Sequence, residues 1–418
     1  MVVGLDIGTT KVCAVIGERG ANGSLEITGI GTCPSTGLRK GVVVNIEATL
    51  RSVASAIEAA EMMSGREVKN CWTGIGGSHI DGINSRGVVA VRKNREARGA
   101  PEPREIGAED IERVLEAARA VVIPMDRQVL EVIPQSYIVD DQKGIRDPMN
   151  MIGVRLESEV HIITCSITGA QNLVKCVNRA GFMVNDLILQ SLAAGRSVLT
   201  PEEQELGVAL VDMGGGTTDV LVYSEGAPYS TTTIPAGGAQ VTNDISIIKN
   251  LSFETAEKIK LDAGCCWEPF LEDDGDIIVP GVGGRIPQPI PKSQILAIIS
   301  PRVEEIFKMV REKLEVLALS RRLGGGVVLT GGGAQLLGAA ELASRVFKLP
   351  VRVGVPLPFG GLVEEYRSPA YATAVGLVLE GNARSGKTAS APPADGRGRE
   401  KGKLIWDSLM DWFRKEIF

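Results

Sequence analysis

Asp212-Met-Gly-Gly-Gly-Thr-Thr-Asp219 stands between two apolar runs, Leu206-Gly-Val-Ala-Leu-Val211 and Val220-Leu-Val-Tyr223. The order apolar run, acid with glycines and threonines, apolar run predicts a strand, a tight turn and a second strand. Consecutive glycines let the backbone approach a ligand closely and accept unusual dihedral angles. Free N–H groups in such a turn form an anion nest, and the hydroxyls of Thr217 and Thr218 add donors. Asp212 stands where a carboxylate could hold a hydrated divalent cation beside a phosphate. Alone, the stretch is equally an ordinary glycine-rich hairpin, because short glycine motifs recur by chance.

A second copy removes that ambiguity. Val3-Gly-Leu-Asp6-Ile-Gly8-Thr9-Thr10-Lys11-Val-Cys-Ala-Val-Ile-Gly17 repeats the design: apolar strand, acid, glycine, paired threonines, apolar strand. The two acids are 206 positions apart (212 − 6). Two such hairpins half a chain apart imply two similar domains facing each other across a nucleotide. Asp6 and Asp212 would then approach one cation from opposite sides.

The bulk composition bounds the rest. At 418 residues the chain has room for about three domains of ~150 residues. Hydrophobic residues make up 44% and aromatics only 4%, so the cores are expected to be aliphatic. A net charge of −6 argues against nucleic acid as a partner of the body. Seven cysteines at irregular spacing without CxxC imply reduced thiols in a cytosolic compartment, and Cys265-Cys266 is read as two ordinary small residues. The two histidines, His79 and His161, cannot form a His-rich metal site, and both sit in apolar surroundings typical of strand residues. The N-terminus lacks a signal-peptide pattern, and no apolar run approaches the ~20 residues that span a bilayer.

Along the chain, Leu25–Gly31 is a third strand, Asn45–Met63 a helix that Asn45 or the preceding turn could cap, and Val68–Ile75 a strand. The texture changes near Asp81. A short strand at Val88–Val91, a charged loop at Arg92–Glu105, a helix at Ile111–Val122 and strands at Leu130–Val139 and Gly153–Val160 predict a small α+β domain inserted over 81–160. The first unit is expected to resume with a strand at Val160–Ile167, a helix at Ala170–Ala180, a strand at Val184–Leu189 and a helix at Gln190–Leu199. Past the second hairpin, helices are expected at Gln240–Asn250, Phe253–Ala263 and Ser293–Leu319. A strand then runs into Thr330-Gly331-Gly332-Gly333-Ala334, a natural ligand crevice at the start of the helix Leu336–Val346. Tyr371–Leu379 is a helix of small residues.

Gly381-Asn-Ala-Arg-Ser-Gly386-Lys387-Thr388 matches the P-loop string GxxxxGK[ST]. That string needs a buried strand before it and a helix after it. An Ala-rich helical segment precedes it and a Pro-containing one follows, so it is read as a chance match inside a linker.

The chain closes unusually. Arg384–Gly402 has no Val, Ile, Leu, Met or aromatic residue and carries +3, from five Arg/Lys and two Asp/Glu, which reads as a disordered linker. In the segment 403–418, Ile405, Trp406, Leu409, Trp412, Phe413 and Ile417 follow helical spacing, with Asp407, Ser408, Asp411, Arg414 and Lys415 opposite. Such a stripe commonly packs on a core, but a linker separates this one from any. Trp and Phe beside Lys/Arg favour an in-plane membrane helix over a helix for a partner's groove. The segment's own charge is zero (+3, −3), so apolar area must drive insertion, helped by the basic linker near anionic lipid.

Together, Gly-Leu-Asp6-Ile-Gly-Thr-Thr-Lys11, Asp212–Asp219 and Thr330-Gly-Gly-Gly-Ala334 resemble the actin, Hsp70 and sugar-kinase superfamily. The inserted domain, the amphipathic tail and the stretches Cys71–Ile80, Leu189–Gly195, Ala256–Lys260 and Pro301–Phe307 narrow this to a resemblance, over nearly the whole chain, to the FtsA family of bacterial cell-division proteins.

The resemblance implies an α/β, actin-like fold of two ribonuclease-H-like domains with an inserted α+β subdomain and a C-terminal amphipathic helix. It divides the chain into a first actin-like domain (1–80, 161–190 and 370–383), the inserted subdomain (81–160), a second actin-like domain (191–235 and 300–369), a small subdomain (236–299), a linker (384–402) and a membrane-targeting helix (403–418). It implies ATP and Mg²⁺ as cofactors. Gly8, Thr9, Thr10, Gly214, Gly215, Gly216 and Thr217 would cradle phosphates, with Lys11 adjoining. Asp6 and Asp212 would position the metal, and Gln190 would orient the attacking water. Glu257, Lys260 and Gly331, Gly332, Gly333, Ala334 would face the nucleoside. It further implies weak ATPase activity at most, self-assembly into actin-like protofilaments at the division site on the cytoplasmic face of the inner membrane, docking of the FtsZ C-terminal tail near Arg302, anionic lipid as the tail's target, and contacts of other division proteins with the inserted subdomain. Two alternatives carry different functions. A small-molecule kinase of the superfamily needs a base near the γ-phosphate, for which no convincing candidate exists. A pilus-assembly relative shares the inserted domain but lacks the membrane-seeking tail.

Overall fold

The two quoted hairpins each found a five-stranded sheet, and the two sheets have one topology. The computed structural model describes residues 1–20, 24–91, 103–271, 274–279, 287–318, 323–358, 360–361 and 364–389. Strands β1 (Val2–Ile7), β2 (Lys11–Arg19) and β3 (Leu25–Pro34) form an antiparallel meander. A short hairpin, β4 (Leu38–Arg39) with β5 (Val42–Val43), leads to helix α1 (Ile46–Ser64). Asn45 caps α1, its side-chain oxygen accepting from the Ala48 N–H at 3.0 Å, which satisfies one of the free donors of the first turn. Gly65, at φ +68°, ends the helix. Strand β6 (Asn70–Ile75) then lies parallel to β1.

The inserted subdomain follows: β7 (Asp81–Ala90), β8 (Arg104–Glu105), α2 (Ala108–Arg119), β9 (Arg127–Val139), β10 (Gln142–Ile145), β11 (Ile152–Gly153) and β12 (Arg155–Ser166). Its main sheet has the order β10-β9-β12-β7, and Val114 and Ala118 of α2 are buried against it. One expectation is corrected here. The stretch Val160–Ile167 does not return to the first sheet. β12 continues through Val160, pairing with β7 as far as Thr164 and with β9 to Ser166, its register with β9 shifting at Glu159/Val160 and Ile163/Thr164. The apolar run reads as a strand in either sheet, and choice of partner is non-local, so spacing alone could not assign it. For the same reason β7 reaches back to Asp81, although Asp81, Gly82 and Asn84 are poor strand formers. His79 lies in the turn before β7 rather than in a strand. His161 is on β12 but has polar neighbours, with Nδ1 2.7 Å from Asn84 Oδ1 and Nε2 bonded to the Thr231 hydroxyl.

Helix α3 (Ile167–Arg179) and strand β13 (Met183–Leu189), parallel to β6, complete the first sheet in the order β13-β6-β1-β2-β3. Helices α4 (Gln190–Val198) and α5 (Pro201–Leu206) lead to the second meander, β14 (Val208–Met213), β15 (Thr218–Ser224) and β16 (Ala227–Ile234). Then come α6 (Gly238–Lys249), α7 (Phe253–Ala263), the hairpin β17 (Asp276–Val279) with β18 (Gln288–Pro291), α8 (Lys292–Ala318), β19 (Val327–Thr330), α9 (Ala339–Phe347), β20 (Val351–Val353) and α10 (Ala372–Ala389). The second sheet's order, β16-β15-β14-β19-β20, repeats the first strand for strand. In each, the meander's first strand is flanked by two further parallel strands.

The cores are aliphatic, as the composition predicts. Val53 and Ile57 of α1 and Leu173 and Val177 of α3 cover one face of the first sheet. Val241 and Ile245 of α6 and Val303, Ile306 and Phe307 of α8 cover the second. Each fully buried aliphatic side chain contributes roughly 1.5–3 kcal/mol. α4 and α10 pack against each other between the two sheets. Their small residues permit this: a Cβ at Gly376 would collide with the Ala193 backbone.

A second correction concerns the end of α10. The helix runs to Ala389, so residues 384–389 of the expected linker are helical and the whole GxxxxGK[ST] string lies inside a helix, with no strand before it. Arg384 supplies the reason, pairing with Glu131 (2.7 Å), Asp186 (3.1 Å) and Glu380 (2.9 Å). The rest of the expected linker and the amphipathic segment 403–418 lie outside the described residues. No helix of the described residues is long and apolar enough to cross a membrane.

Candidate nucleotide site

The two meander turns close identically. Gly8 N–H donates to the Lys11 carbonyl and Gly214 N–H to the Thr217 carbonyl, both at 2.9 Å. The tips meet. A Cβ at Gly216 would stand 2.6 Å from Thr9 Oγ1, and one at Gly215 would collide with the Thr10 side chain. Glycine is therefore required by close approach of the facing hairpin. Thr9 Oγ1 also accepts from the Gly41 N–H at 3.1 Å, fixing the first tip to the neighbouring loop.

Between and beside the tips lies a cavity of about 1210 Å³, ample for a nucleotide. Asp6, Gly8, Thr9, Thr10, Lys11, Gln190, Asp212, Gly214, Gly215, Gly216, Thr217, Glu257, Lys260, Gly331, Gly332 and Gly333 all line it. Ala334, the last residue of the glycine-rich loop expected to face the nucleoside, does not line it. It turns into the core of the second domain. The glycine-rich loop after β19 is a short 3₁₀ turn over Gly332–Gln335. Gly331 there has φ +82°, and a Cβ on it would collide with the Asp212 carboxylate, so only glycine lets the loop pass the acid.

The floor holds three carboxylates, Asp212 buried and Asp6 and Asp219 half-buried. Burial pushes Asp6 up to about 6. Asp212 raises it further, against Lys11 and the 2.7 Å hydrogen bond donated by Gln190 Nε2 to Asp6 Oδ1. Burial likewise pushes Asp212 up to about 6, opposed by the Thr373 hydroxyl, which donates to Oδ2 at 3.1 Å, and by Lys11. Asp219 is pushed to about 7 by burial, against a 2.5 Å bond from Thr233. Buried acids of like charge are what a divalent cation would keep ionised. Among the described residues no group of three or more His, Cys, Asp or Glu side chains could cage a metal. Two carboxylates from opposite domains with open positions fit Mg²⁺, which retains waters and takes substrate phosphates as ligands.

Lys11 turns toward the segment that leads into α10. Its ammonium donates to the Ala370 carbonyl at 2.6 Å and stands 4.1 Å from the centre of the Tyr371 ring. At the cavity's other end, α7 presents Glu257 and Lys260, paired at 2.7 Å, with Lys260 also donating to Thr242 Oγ1 at 2.9 Å and Glu257 accepting from the same hydroxyl. Phe270, Leu271, Lys292, Gln335 and Leu336 line the cavity too. Sequence reasoning missed these, and it missed Thr373 and Asp219. Asp219 sits inside the diagnostic stretch and carries a legible signal, an acid opposite Asp212 across the hairpin. Thr373 has none, because only the tertiary path of α10 brings it to Asp212.

Arg302 lies elsewhere, on α8. It pairs with Asp244 at 2.5 Å and with Glu305, beside a small cavity of about 300 Å³ lined by Ile248, Ile298 and Pro301.

Comparison with known proteins gives the following. The profile of the family described as cell division protein FtsA matches residues 209–376, and that of the SHS2 domain inserted in FtsA matches residues 77–164. The chain is 44% identical to the cell division protein FtsA of Borreliella burgdorferi over 419 aligned residues, covering 100% of this chain and 99% of that one. It is 46% identical to the Pseudomonas aeruginosa protein of the same name, covering 91% and 89%. It is 38% identical to that of Escherichia coli K12, covering 100% and 98%. Among solved structures, a PilM–PilN type IV pilus biogenesis complex superposes with a TM-score of 0.65 at 16% identity, covering 91% of this chain and 98% of that one. MreB5 of Spiroplasma citri bound to ADP superposes with a TM-score of 0.50 at 17% identity, covering 93% and 96%. These likenesses establish an actin-like fold.

Proposed function

Because the chain belongs to the FtsA family of cell-division proteins, we propose that it is an ATP-binding, actin-like protein that polymerises on the inner membrane and tethers FtsZ filaments there. The observation that carries the reading is the pair of touching hairpins, each with an acid on the floor of one nucleotide-sized cavity. MreB5, of the same fold, has been solved with ADP and with AMPPNP.

In this reading the backbone N–H groups around Gly8–Thr10 and Gly214–Thr217 bind the phosphates from both domains. Mg²⁺, held at Asp6 and Asp212, supplies charge neutralisation on those phosphates. Gln190 already holds Asp6 and lies where it could orient a water. The Gln190 carboxamide cannot itself take a proton from that water, so positioning rather than proton transfer governs turnover, which is expected to be slow. Glu257 and Lys260 reach the ribose and base. Bound nucleotide fixes the two domains in one relative orientation, the shape that stacks into a filament. The tail beyond α10 binds anionic lipid, and the groove at Arg302 receives the FtsZ tail. Other division proteins meet the inserted subdomain. Near-complete coverage by FtsA relatives favours this over the pilus-assembly reading, whose solved representative is 16% identical.

The test is electron microscopy of the full chain on vesicles of phosphatidylglycerol and phosphatidylethanolamine with ATP and Mg²⁺. Filaments that require both vesicle and nucleotide, and that recruit FtsZ, are expected. Vesicle binding without filaments at any protein density would count against the polymer.

A further inference from the structure

The end of the first domain opposite the cleft carries apolar side chains that no core uses. β1, β6 and β13 are parallel and aim their C-terminal ends at the cleft, where Ile7 and Gln190 line the cavity. Their N-terminal ends, at Val2, Asn70 and Met183, therefore gather at the far end. α1 finishes there as well, because only residues 65–69 separate it from β6. Met62, in the last turn of α1, is 87% exposed, and Met183 is 62% exposed. The Met183 N–H bonds the Lys69 carbonyl at 2.9 Å, which ties the start of β13 to the segment following α1. At that end Arg66 pairs with Glu18 at 2.7 Å, which offsets both charges and leaves apolar contact as the drive.

α10 descends to the same end. Arg19, the last residue of β2, donates to Asn382 Oδ1 at 3.0 Å, and Arg384 pairs with Asp186 of β13. The helix goes on five residues beyond Arg384, to Ala389, or about 7.5 Å at 1.5 Å per residue. The remaining 29 residues (418 − 389) thus begin at this end of the first domain. If the 13 residues 390–402 are the linker that their composition suggests, they would span ~20 Å as a coil, and a membrane-bound segment 403–418 would hold this end of the domain close to the lipid.

We propose that the far end of the first domain, through Met62 and Met183, is a lipid-facing surface that docks on the bilayer beside the C-terminal helix. The proposal rests on the membrane-tether reading. Methionine suits the role: it is unbranched, flexible and able to fit an irregular surface. A lone in-plane helix is a marginal anchor, and a second contact on a short tether multiplies its binding without needing high affinity of its own.

The test is co-sedimentation of the full chain with vesicles of phosphatidylglycerol and phosphatidylethanolamine. The variants are Met62→Glu with Met183→Glu, and Ile247→Glu on α6, 65% exposed, as a control. The double variant is expected to need roughly tenfold more lipid for half-binding, while the control matches wild type. Unchanged ATP affinity in the double variant verifies its fold. Wild-type-like sedimentation of the double variant overturns this surface and leaves the tail reading standing. Failure of the wild-type full chain to sediment overturns the tether and this surface together.

Discussion

Gln190 Nε2 donates to Asp6 Oδ1 at 2.7 Å, joining the first residue of α4 to the acid of the first hairpin. The bond crosses the sheet, since β6 separates β13 from β1. A Cβ at Gly76, at the end of β6, would collide with the Gln190 carboxamide, so glycine there leaves the side chain room to reach across.

Replacing Gln190 by Ala therefore leaves a cleft that still binds nucleotide but has lost its positioning group. ATP affinity is expected to change less than about threefold, and whatever basal turnover exists to fall roughly 100-fold. Phosphate release and equilibrium binding, measured on one preparation, separate the two. Loss of binding with preserved turnover per bound nucleotide would assign Gln190 to affinity instead.

Gly215→Val pushes two methyl groups into Thr10 at the meeting point of the hairpins. ATP affinity is expected to drop at least 100-fold, near 3 kcal/mol, while the melting temperature moves by only a few degrees, since the tip is not core. A variant with normal affinity would mean that the tips separate on binding.

His161 makes stability pH-dependent. It joins the inserted subdomain, through Asn84, to β16 of the second domain, through Thr231. Burial lowers its pKa from 6.5 to about 4, against the opposing pull of Asp81. The folded state thus keeps the ring neutral while the unfolded chain takes up a proton below 6.5. Stability is full above that value and is lost as pH falls toward 4, by about 3 kcal/mol from this group at 1.36 kcal/mol per pH unit. Urea midpoints at pH 7 and pH 4.5 should differ by less in His161→Gln than in wild type.

Arg384→Ala strips the cation from among Glu131, Asp186 and Glu380 and should cost roughly 1–3 kcal/mol, in the range for leaving partly buried charges uncompensated. Lys387→Ala, three residues on and within the P-loop-like string, should leave ATP affinity unchanged. Calorimetric melting and ATP titration of both variants test the pair. A large affinity loss in Lys387→Ala would mean the nucleotide site lies elsewhere.

The sequence carried the duplicated hairpin, and with it both sheets, because Asp-Gly-Thr-Thr between apolar runs is a local pattern. It carried the cavity-lining residues of the two hairpins and of the Gly331–Gly333 loop in the same local way, whereas Gln190, Glu257 and Lys260 came from the family resemblance. It did not carry the partner of β12, since Val160–Ile167 is equally apolar in either sheet. It put the end of α10 too early because Arg384 is held by carboxylates from two distant strands, Glu131 of β9 and Asp186 of β13, besides Glu380 one turn back on its own helix. Ala334 was grouped with its glycine neighbours by proximity in the chain, yet the 3₁₀ turn sends it inward. Each miss is a tertiary choice that no window of local residues encodes.

The central claim is that Asp6 and Asp212 clamp one metal–nucleotide complex between the domains. The most direct measurement is an ATP titration of the full chain by calorimetry, with Mg²⁺ and with EDTA, repeated for the Asp6→Asn, Asp212→Asn double variant. Wild type is expected to bind at least tenfold more tightly with Mg²⁺, about 1.4 kcal/mol or more, and the double variant to lose that difference. Equal affinity of wild type with and without the metal, or a double variant that keeps the full Mg²⁺ enhancement, would contradict it.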